Sequence, residues 1–477
     1  MRSGSSIRSL RGVLWIACLA GFTANFDLQL VNLALPQLGL AFGVNQSTLA
    51  WAVAAYVLPY AIAILAVGRL VDRYGGRRVL SIGATLFAVG SLAAALAPVY
   101  PMLLIGRVLQ GLGGAAMMTT ALAVISATFD DPARPRAFGI FFAAGAAAAV
   151  VAPLAGAALV ATLGWRGMFA TQVLLALAVL WGALAVLHGG HPGQRRSLDA
   201  PGLAFATLAL GAVNVGLLQA NEWGWTSPII IATWLAAAIA LVAFVRRERR
   251  TSEPAVRLAV FQSRMFVASV LVGAAAWFGI LSGTIQLAVY LQTVRGLTTT
   301  DTALVLLPWP LIAALVFPRS GAVVSRIGPE RVMLGSVACS AVAGAVMILF
   351  DLSTPLVIVS IVAAVGGVPI AFGVTASTSR ALSEFPATEA GTASGVFNGL
   401  RQVGSSLGVA IPAAAFDLAG GGMAGSTAAF ASRAVVFAIV LLSVATILSG
   451  RSTRRRFSSV STMAPGSVAS SDHPNPS

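Results

Sequence analysis

Apolar residues fill stretches of about twenty along this chain, and polar residues gather in short clusters between them. Fourteen such runs follow one another, at about 13–36, 48–68, 79–98, 101–124, 137–160, 167–187, 202–220, 228–245, 266–292, 303–323, 332–350, 354–376, 391–415 and 429–449. At about 1.5 Å per residue, each is long enough to cross a hydrocarbon core of about 30 Å as a helix. Lipid leaves only helices and closed barrels with their backbones satisfied, and continuous rather than alternating apolar residues select helices. The pattern therefore predicts an all-α polytopic membrane protein.

Composition points the same way: the chain is 58% hydrophobic and 9% charged, with a mean hydropathy of +0.89. A water-soluble globule does not sustain such values. The net charge of +15 suggests nucleic acid until its distribution is read. The chain has no Lys, and its Arg residues cluster in every second loop: Arg69, Arg73, Arg77 and Arg78, then Arg134 and Arg136, then Arg195 and Arg196. Arg246, Arg247, Arg249 and Arg250 follow, then Arg326 and Arg331, Arg380, and Arg454 to Arg456. The intervening loops hold almost none, with Arg166 and Arg295 the exceptions. This is the positive-inside pattern, which puts both termini in the cytoplasm of a cell-membrane protein. The charge is topological, and no nucleic-acid partner is expected.

Cys18 and Cys339 fall inside runs, and His188, His191 and His473 lie in loops or the tail, so neither a disulfide framework nor a metal or cofactor site is expected. The first 12 residues are basic and Ser-rich and lead into an uncleaved first helix. From Arg451 the tail is basic, then Ser/Pro-rich, and is expected to be disordered.

One acid breaks the pattern. Of the fifteen acidic residues, only Asp27 lies deep inside an uninterrupted apolar run. A carboxylate there costs several kcal/mol unless paired, hydrated or protonated, which marks a group that changes protonation as it works. Asp27 lies nine residues inside Pro36 and Arg107 six inside Pro101, so the two differ in depth by only about 5 Å. Two readings stand: a static ion pair that fixes packing, or a proton switch whose charge Arg107 senses. Arg401, in the thirteenth run, is the other membrane-embedded cation expected, either a second charge partner or a side chain that snorkels to the rim.

Two cytoplasmic turns resemble each other at an offset of 253 residues: Gly68/Gly321, Arg73/Arg326, Gly75/Gly328 and Arg78/Arg331 coincide. Duplicated halves are common in secondary transporters, with the substrate between them. Two six-helix halves leave two runs over, most naturally those within 202–245.

The turn 68–78 resembles the G-x-L-x-D-R-x-G-R-R loop of the major facilitator superfamily. Further segments resemble its fourteen-span drug:proton antiporter branch (the EmrB/QacA type). These are Phe26 to Pro36, the Arg107-Val108-Leu109-Gln110-Gly111-Leu112-Gly113 stretch, Trp165 to Phe169, Asn221 to Trp225, Tyr290-Leu291-Gln292 and Gly395 to Gln402. The resemblance covers about residues 11–450. It implies the major-facilitator fold of two six-helix bundles plus two helices: a bundle over 1–201, a linker pair over 202–265, a bundle over 266–450 and a tail over 451–477. It further implies a cytoplasmic gate of Gly68, Asp72, Arg73, Gly75 and Arg77, in which the Asp holds the halves together and an Arg pairs with an acid after the fourth span, where Asp130 and Asp131 stand. The antiporter motif of the fifth span departs from the family's G-P-x-x-G-G, reading Ala152-Pro153-Leu154-Ala155-Gly156-Ala157. Gly145, Pro153 and Gly156 keep a small-residue helix with a bend point.

Candidate pocket residues near the interface of the halves are Asn25, Gln29, Asn32, Trp51, Tyr56, Trp277, Phe278, Gln286, Trp309, Asn398, Arg401 and Gln402. Large aromatics in such a chain mostly face lipid or neighbouring helices. The second and tenth runs hold no acid, which favours a neutral, zwitterionic or monocationic amphipathic compound over a dication. With no Lys there is no ATP-binding P-loop, and with no His or acid cluster within the runs no intramembrane enzyme. The expected function is a proton-coupled exporter of small amphipathic compounds, or a dedicated exporter of one endogenous metabolite. Its partners are protons, that substrate and the bilayer, and a monomer is expected.

Overall fold

The computed structural model describes residues 4–130, 132–187, 199–251 and 256–449. Asp131, Arg195, Arg196, the three histidines and the tail lie outside the described residues. Helices α1 (Gly4–Phe42), α2 (Gln46–Tyr74), α3 (Gly76–Ala95), α4 (Tyr100–Thr128) and α5 (Ala133–Val186) come first. Then follow α6 (Ala200–Trp223), α7 (Pro228–Arg250), α8 (Arg264–Val289), α9 (Thr299–Leu306) and α10 (Pro308–Ile327). α11 (Pro329–Met347), α12 (Leu356–Leu382), α13 (Ala390–Leu418) and α14 (Gly422–Ser449) complete the chain.

Twelve helices among the described residues are long and apolar enough to cross a membrane, against the fourteen runs expected. The difference lies at two places. α5 counts as one helix of 54 residues, yet Gly164 inside it is non-helical, at φ 66° and ψ −178°. Its arms both lie along α1. Gly21, Asn25 and Leu30 of α1 meet Phe141, Gly145 and Gly156 of the first arm, whereas Ile16 and Gly12 meet Gly182 and Val186 of the second. At the break Gln37 of α1 satisfies both sides, donating to the Val160 carbonyl (3.2 Å) and accepting from the Trp165 amide (3.0 Å). The second place is α13, whose 29 residues include Thr392, Ser394, Asn398, Arg401, Gln402, Ser405 and Ser406, and which is not among the twelve.

Gly164 occupies a backbone region open to glycine alone. Gly164→Ala is expected to cost about 1–3 kcal/mol, read as a lowered unfolding midpoint of the detergent-purified chain. An unchanged midpoint would show that the break relaxes without strain.

Both halves contribute to one large buried cluster, including Phe138 and Phe141 of α5, Phe317 of α10 and Phe397 of α13. Trp15, Ile105, Leu154, Trp181, Ile239 and Val357 instead point outward, as suits a surface solvated by acyl chains. α6 and α7 pair with each other, and α6 also touches α2 and α13. The polar links there are Ser406 Oγ to Asn214 Oδ1 (2.6 Å) and Asn221 Nδ2 to the Ala410 carbonyl (3.3 Å).

Candidate functional site

α1 turns Thr23, Asp27, Leu30, Val31 and Ala34 to its buried side, the spacing of one helical face. Across from Asp27, α4 carries Arg107, Gln110, Gly111 and Gly114 on one face. Glycines bring the backbones together: a Cβ on Gly111 would overlap the Tyr56 carbonyl, and one on Gly106 would press on the Gly90 carbonyl. Arg107 is thereby held between α1, α2, α3 and α4.

Arg107 Nη1 donates to both carboxylate oxygens of Asp27, at 2.9 and 2.7 Å, and to Gln110 Oε1 at 2.8 Å. Its Nε donates to the Ala52 carbonyl (2.9 Å), and its Cζ lies 4.7 Å from the centre of the Tyr56 ring. Nη2 has no hydrogen-bond partner. Gln110 Nε2 donates to Ser91 Oγ (2.8 Å) and, weakly, to Asp27 Oδ1 (3.4 Å). Asp27, Arg107, Gln110, Ser91 and Tyr56 are all fully buried. In so dry a setting, charge-assisted hydrogen bonds are strong and loss of one partner is costly. Depth counting anticipates the Asp27–Arg107 pair; Ser91 and Gln110 are absent from the candidates expected above. Gln110 stands three residues after Arg107 in a motif already noted, but nothing in the local sequence points from α4 to Ser91 on α3.

A second polar group begins where the first ends. Tyr56 stacks on Tyr60, ring centres 5.9 Å apart, and the Tyr60 hydroxyl is within electrostatic reach of Arg401 on α13. Arg401 lies 4.4 Å over the Trp277 ring with Nη1 unpartnered. It is 6% exposed, so it does not snorkel to the rim. Asn398, a helical turn away, is buried with both amide atoms unpartnered. A further buried cation, not among the expected ones, is Arg433, which lies in the middle of α14 and is 3% exposed.

The remaining pocket candidates do not converge. Gln29 and Asn32 lie on an open face of α1, Asn32 bonded to its own helix at the Leu28 carbonyl (3.2 Å). Asn25 likewise bonds the Gly21 carbonyl (2.7 Å), beside Gly145 of α5. Trp51 is exposed, Gln286 is buried on α8, and Trp309 packs on Gly367 of α12. Pro153 is exposed on α5, and Gly156 packs against Leu30 and Leu33.

At the two repeated turns the N- and C-terminal parts of the chain meet. Gly68 of α2 and Gly391 of α13 abut so closely that a Cβ on either would overlap the other's carbonyl oxygen. Asp72 accepts from the amides of Gly391 (2.6 Å) and Thr392 (2.7 Å) and from Thr392 Oγ1 (2.5 Å). A carboxylate thus sits at the N-terminus of α13, where amides are free and the helix dipole favours negative charge. In the repeat, Gly321 of α10 abuts Pro135 and Arg136 of α5, and Ser325 Oγ donates to the Pro132 carbonyl (3.1 Å). The other gate candidates stand apart. Gly75 ends α2 at φ 84°, Arg73 lies over the Tyr74 ring and Arg77 donates to the Leu184 carbonyl (2.9 Å). Asp130 is exposed and pairs with neither.

A family model described as Major Facilitator Superfamily matches residues 17–409. The chain belongs to this superfamily. Within it, the chain is 33% identical over 391 residues to "Multidrug resistance protein Stp" of Mycobacterium tuberculosis, covering 82% of this chain and 73% of that protein. It is 28% identical to "Methylenomycin A resistance protein" of Bacillus subtilis over 91% of this chain and 93% of that one. "Tetracenomycin C resistance and export protein" of Streptomyces glaucescens is 30% identical over 84% of this chain and 76% of that protein. The human organic anion transporter MFSD10 (TETRAN) superposes with a TM-score of 0.66 at 16% identity, covering 91% of this chain and 99% of that one. The proton:xylose symporter XylE gives 0.65 at 16% identity, covering 92% and 95%. These two show the fold alone: an all-helical, multi-pass major-facilitator membrane protein.

Proposed function

We infer that this chain is a secondary transporter that exports small amphipathic drugs or antibiotics in exchange for protons entering the cell. The buried Asp27–Arg107–Gln110 cluster carries the reading. It is a membrane-embedded acid held by one cation, with no catalytic neighbour, in a family whose similar members bear names of drug and antibiotic resistance. Asp27 takes up and releases the proton. Protonation removes the charge that draws Arg107 Nη1 to α1, while Gln110, the Ala52 carbonyl and Tyr56 retain the guanidinium on α2 and α4. The proton thereby sets how firmly α1 adheres to its neighbours. The glycine-faced first arm of α5 rests on that same helix at Asn25, Leu30 and Leu33.

Gly68 and Asp72 make the gate contact, with Asp72 at the start of α13 as its latch. The family's turn motif extends the proposed gate to Arg73, Gly75, Arg77 and Asp130, which do not touch that contact here. Asn25, Gln29, Asn32, Trp51, Tyr56, Trp277, Gln286, Trp309, Asn398 and Arg401 are the pocket candidates. The group around Arg401 and Trp277 is the part joined to the proton site, through Tyr60 and Tyr56. Fourteen spans suit the fourteen-span antiporter branch: taking the two arms of α5 separately and adding α13 to the twelve gives that count. In this topology both termini are cytoplasmic, and bundles over 1–201 and 266–450 flank the pair over 202–265.

The test is transport by the purified chain in proteoliposomes, with a pH gradient as the sole energy source. Accumulation of a compound that a relative is named for, such as methylenomycin A, should collapse when a protonophore abolishes the gradient. Accumulation that persists without the gradient would overturn proton coupling. Arg107→Ala should separate coupling from binding: substrate still binds, but fewer protons move per substrate. An unchanged stoichiometry would return the pair to a static, structural role. A second reading, export of one endogenous metabolite, is favoured by the name of the Streptomyces glaucescens relative, a resistance and export protein for tetracenomycin C. A compound panel in an efflux-deficient host separates the two: broad resistance supports drug export, and protection against a single scaffold supports the dedicated exporter.

A further inference from the structure

Neither the proton site nor the cytoplasmic contact gives Arg433 a role. It lies 11 residues into α14, about 16 Å along the helix, and is 3% exposed. Its Nε has no hydrogen-bond partner, and its Nη1 touches only the Met347 thioether at 3.8 Å. The Phe437 ring centre is 5.8 Å from Cζ, a weak contact. No carboxylate among the described residues pairs with it. Arg107 is the contrast: equally buried, it has Asp27, Gln110 and the Ala52 carbonyl.

The Arg433 guanidinium lines a small cavity together with Gly283, Thr284, Trp309, Met347 and Gly367. Gly283 is what lets it lie so close to α8, because a Cβ there would overlap Nη1. The free volume is about 20 Å³, room for about one water-sized species. Thr284 already spends its hydroxyl hydrogen on the Ile280 carbonyl (2.9 Å), so the cavity's charged hydrogen-bond donor is the guanidinium. No acid lines the cavity.

A guanidinium keeps its charge in proteins, and buried charges are paired. Here no counter-charge is found among the described residues, and a space of single-ion size adjoins the cation. We propose that the cavity beside Arg433 binds a small inorganic anion of about chloride's size. The anion accepts from the guanidinium N–H groups and neutralises the interior of the C-terminal helices. Bulky organic acids such as benzoate exceed this free volume. The assignment is independent of proton coupling and of the exported compound.

Thermal unfolding of the purified full-length chain in detergent tests it, with potassium chloride replaced stepwise by potassium gluconate at constant ionic strength. The wild-type midpoint should rise with chloride, and then logarithmically above the dissociation constant. Bromide should act likewise, and benzoate should not. Arg433→Met should lose the dependence, and Arg433→Lys should keep part of it. Should Arg433→Met fail to fold, Gly283→Ala decides, because it keeps the charge but displaces the guanidinium and should weaken the chloride effect several-fold. A wild-type midpoint indifferent to chloride overturns the proposal, as does a chloride effect undiminished in the folded variants. An equal response to benzoate overturns the small-anion assignment.

Discussion

Asp27→Asn is expected to abolish transport driven by a pH gradient while the chain still inserts and folds. Asparagine has nearly the volume of aspartate, and its carbonyl oxygen can still accept from Arg107 Nη1 or Gln110 Nε2. Arg107 also keeps the Ala52 carbonyl, Gln110 Oε1 and the Tyr56 ring, so the cation is not stranded. What asparagine cannot do is exchange a proton. Proton-driven flux in proteoliposomes should therefore fall to that of protein-free vesicles. Circular dichroism and the elution profile in detergent should stay those of the wild type. Undiminished flux in a well-folded Asp27→Asn chain would remove Asp27 as the proton carrier.

Asp72→Ala is expected to release the cytoplasmic contact between the halves. The carboxylate of Asp72 accepts three hydrogen bonds from Gly391 and Thr392 at the start of α13, 319 and 320 positions later in the chain. Removing a side-chain cap costs about 0.5–2 kcal/mol, and here the lost interaction exists only while the halves touch. The balance between closed and open cytoplasmic ends should move by up to about thirtyfold toward open. Spin labels on Tyr74→Cys and Thr388→Cys, in a chain otherwise free of Cys18 and Cys339, read this directly. The longer-distance population should grow in Asp72→Ala and less so in Asp72→Asn, which keeps an acceptor. Identical distance distributions would show that the Gly68–Gly391 packing alone closes the gate.

Several features are legible in the chain before any coordinates. Asp27 stands out because an acid in an apolar run is rare, and Arg107 is found by counting residues inward from the helix ends. Both rest on one coordinate, depth, which a helix converts linearly from residue number. Asp72 is marked by its repeat-related turn, although its contact with the first amides of α13 is not. The aromatic pocket candidates scatter because hydropathy does not distinguish a Trp packed on a glycine, as Trp309 is on Gly367, from one facing lipid. Arg433 escapes notice because an Arg near the start of an apolar run reads as a loop residue until α14 begins eleven positions earlier.

By itself, the sequence determined the apolar solvent, the helical class, the buried acid within its run and the repeated turns, while predicting fourteen runs where twelve helices among the described residues are long and apolar enough to cross a membrane. Each follows from what lipid demands of a backbone and from rise per residue. Only the tertiary structure decided which way each helix is rotated and what it meets: Ser91 and Gln110 at Asp27, α13 at Asp72, the two arms of α5 along α1, and no acid among the described residues at Arg433. Acyl chains are about as apolar as leucine, so hydropathy alone does not orient a helix toward its neighbours. That orientation comes from glycine contacts and polar bonds between segments far apart in the chain.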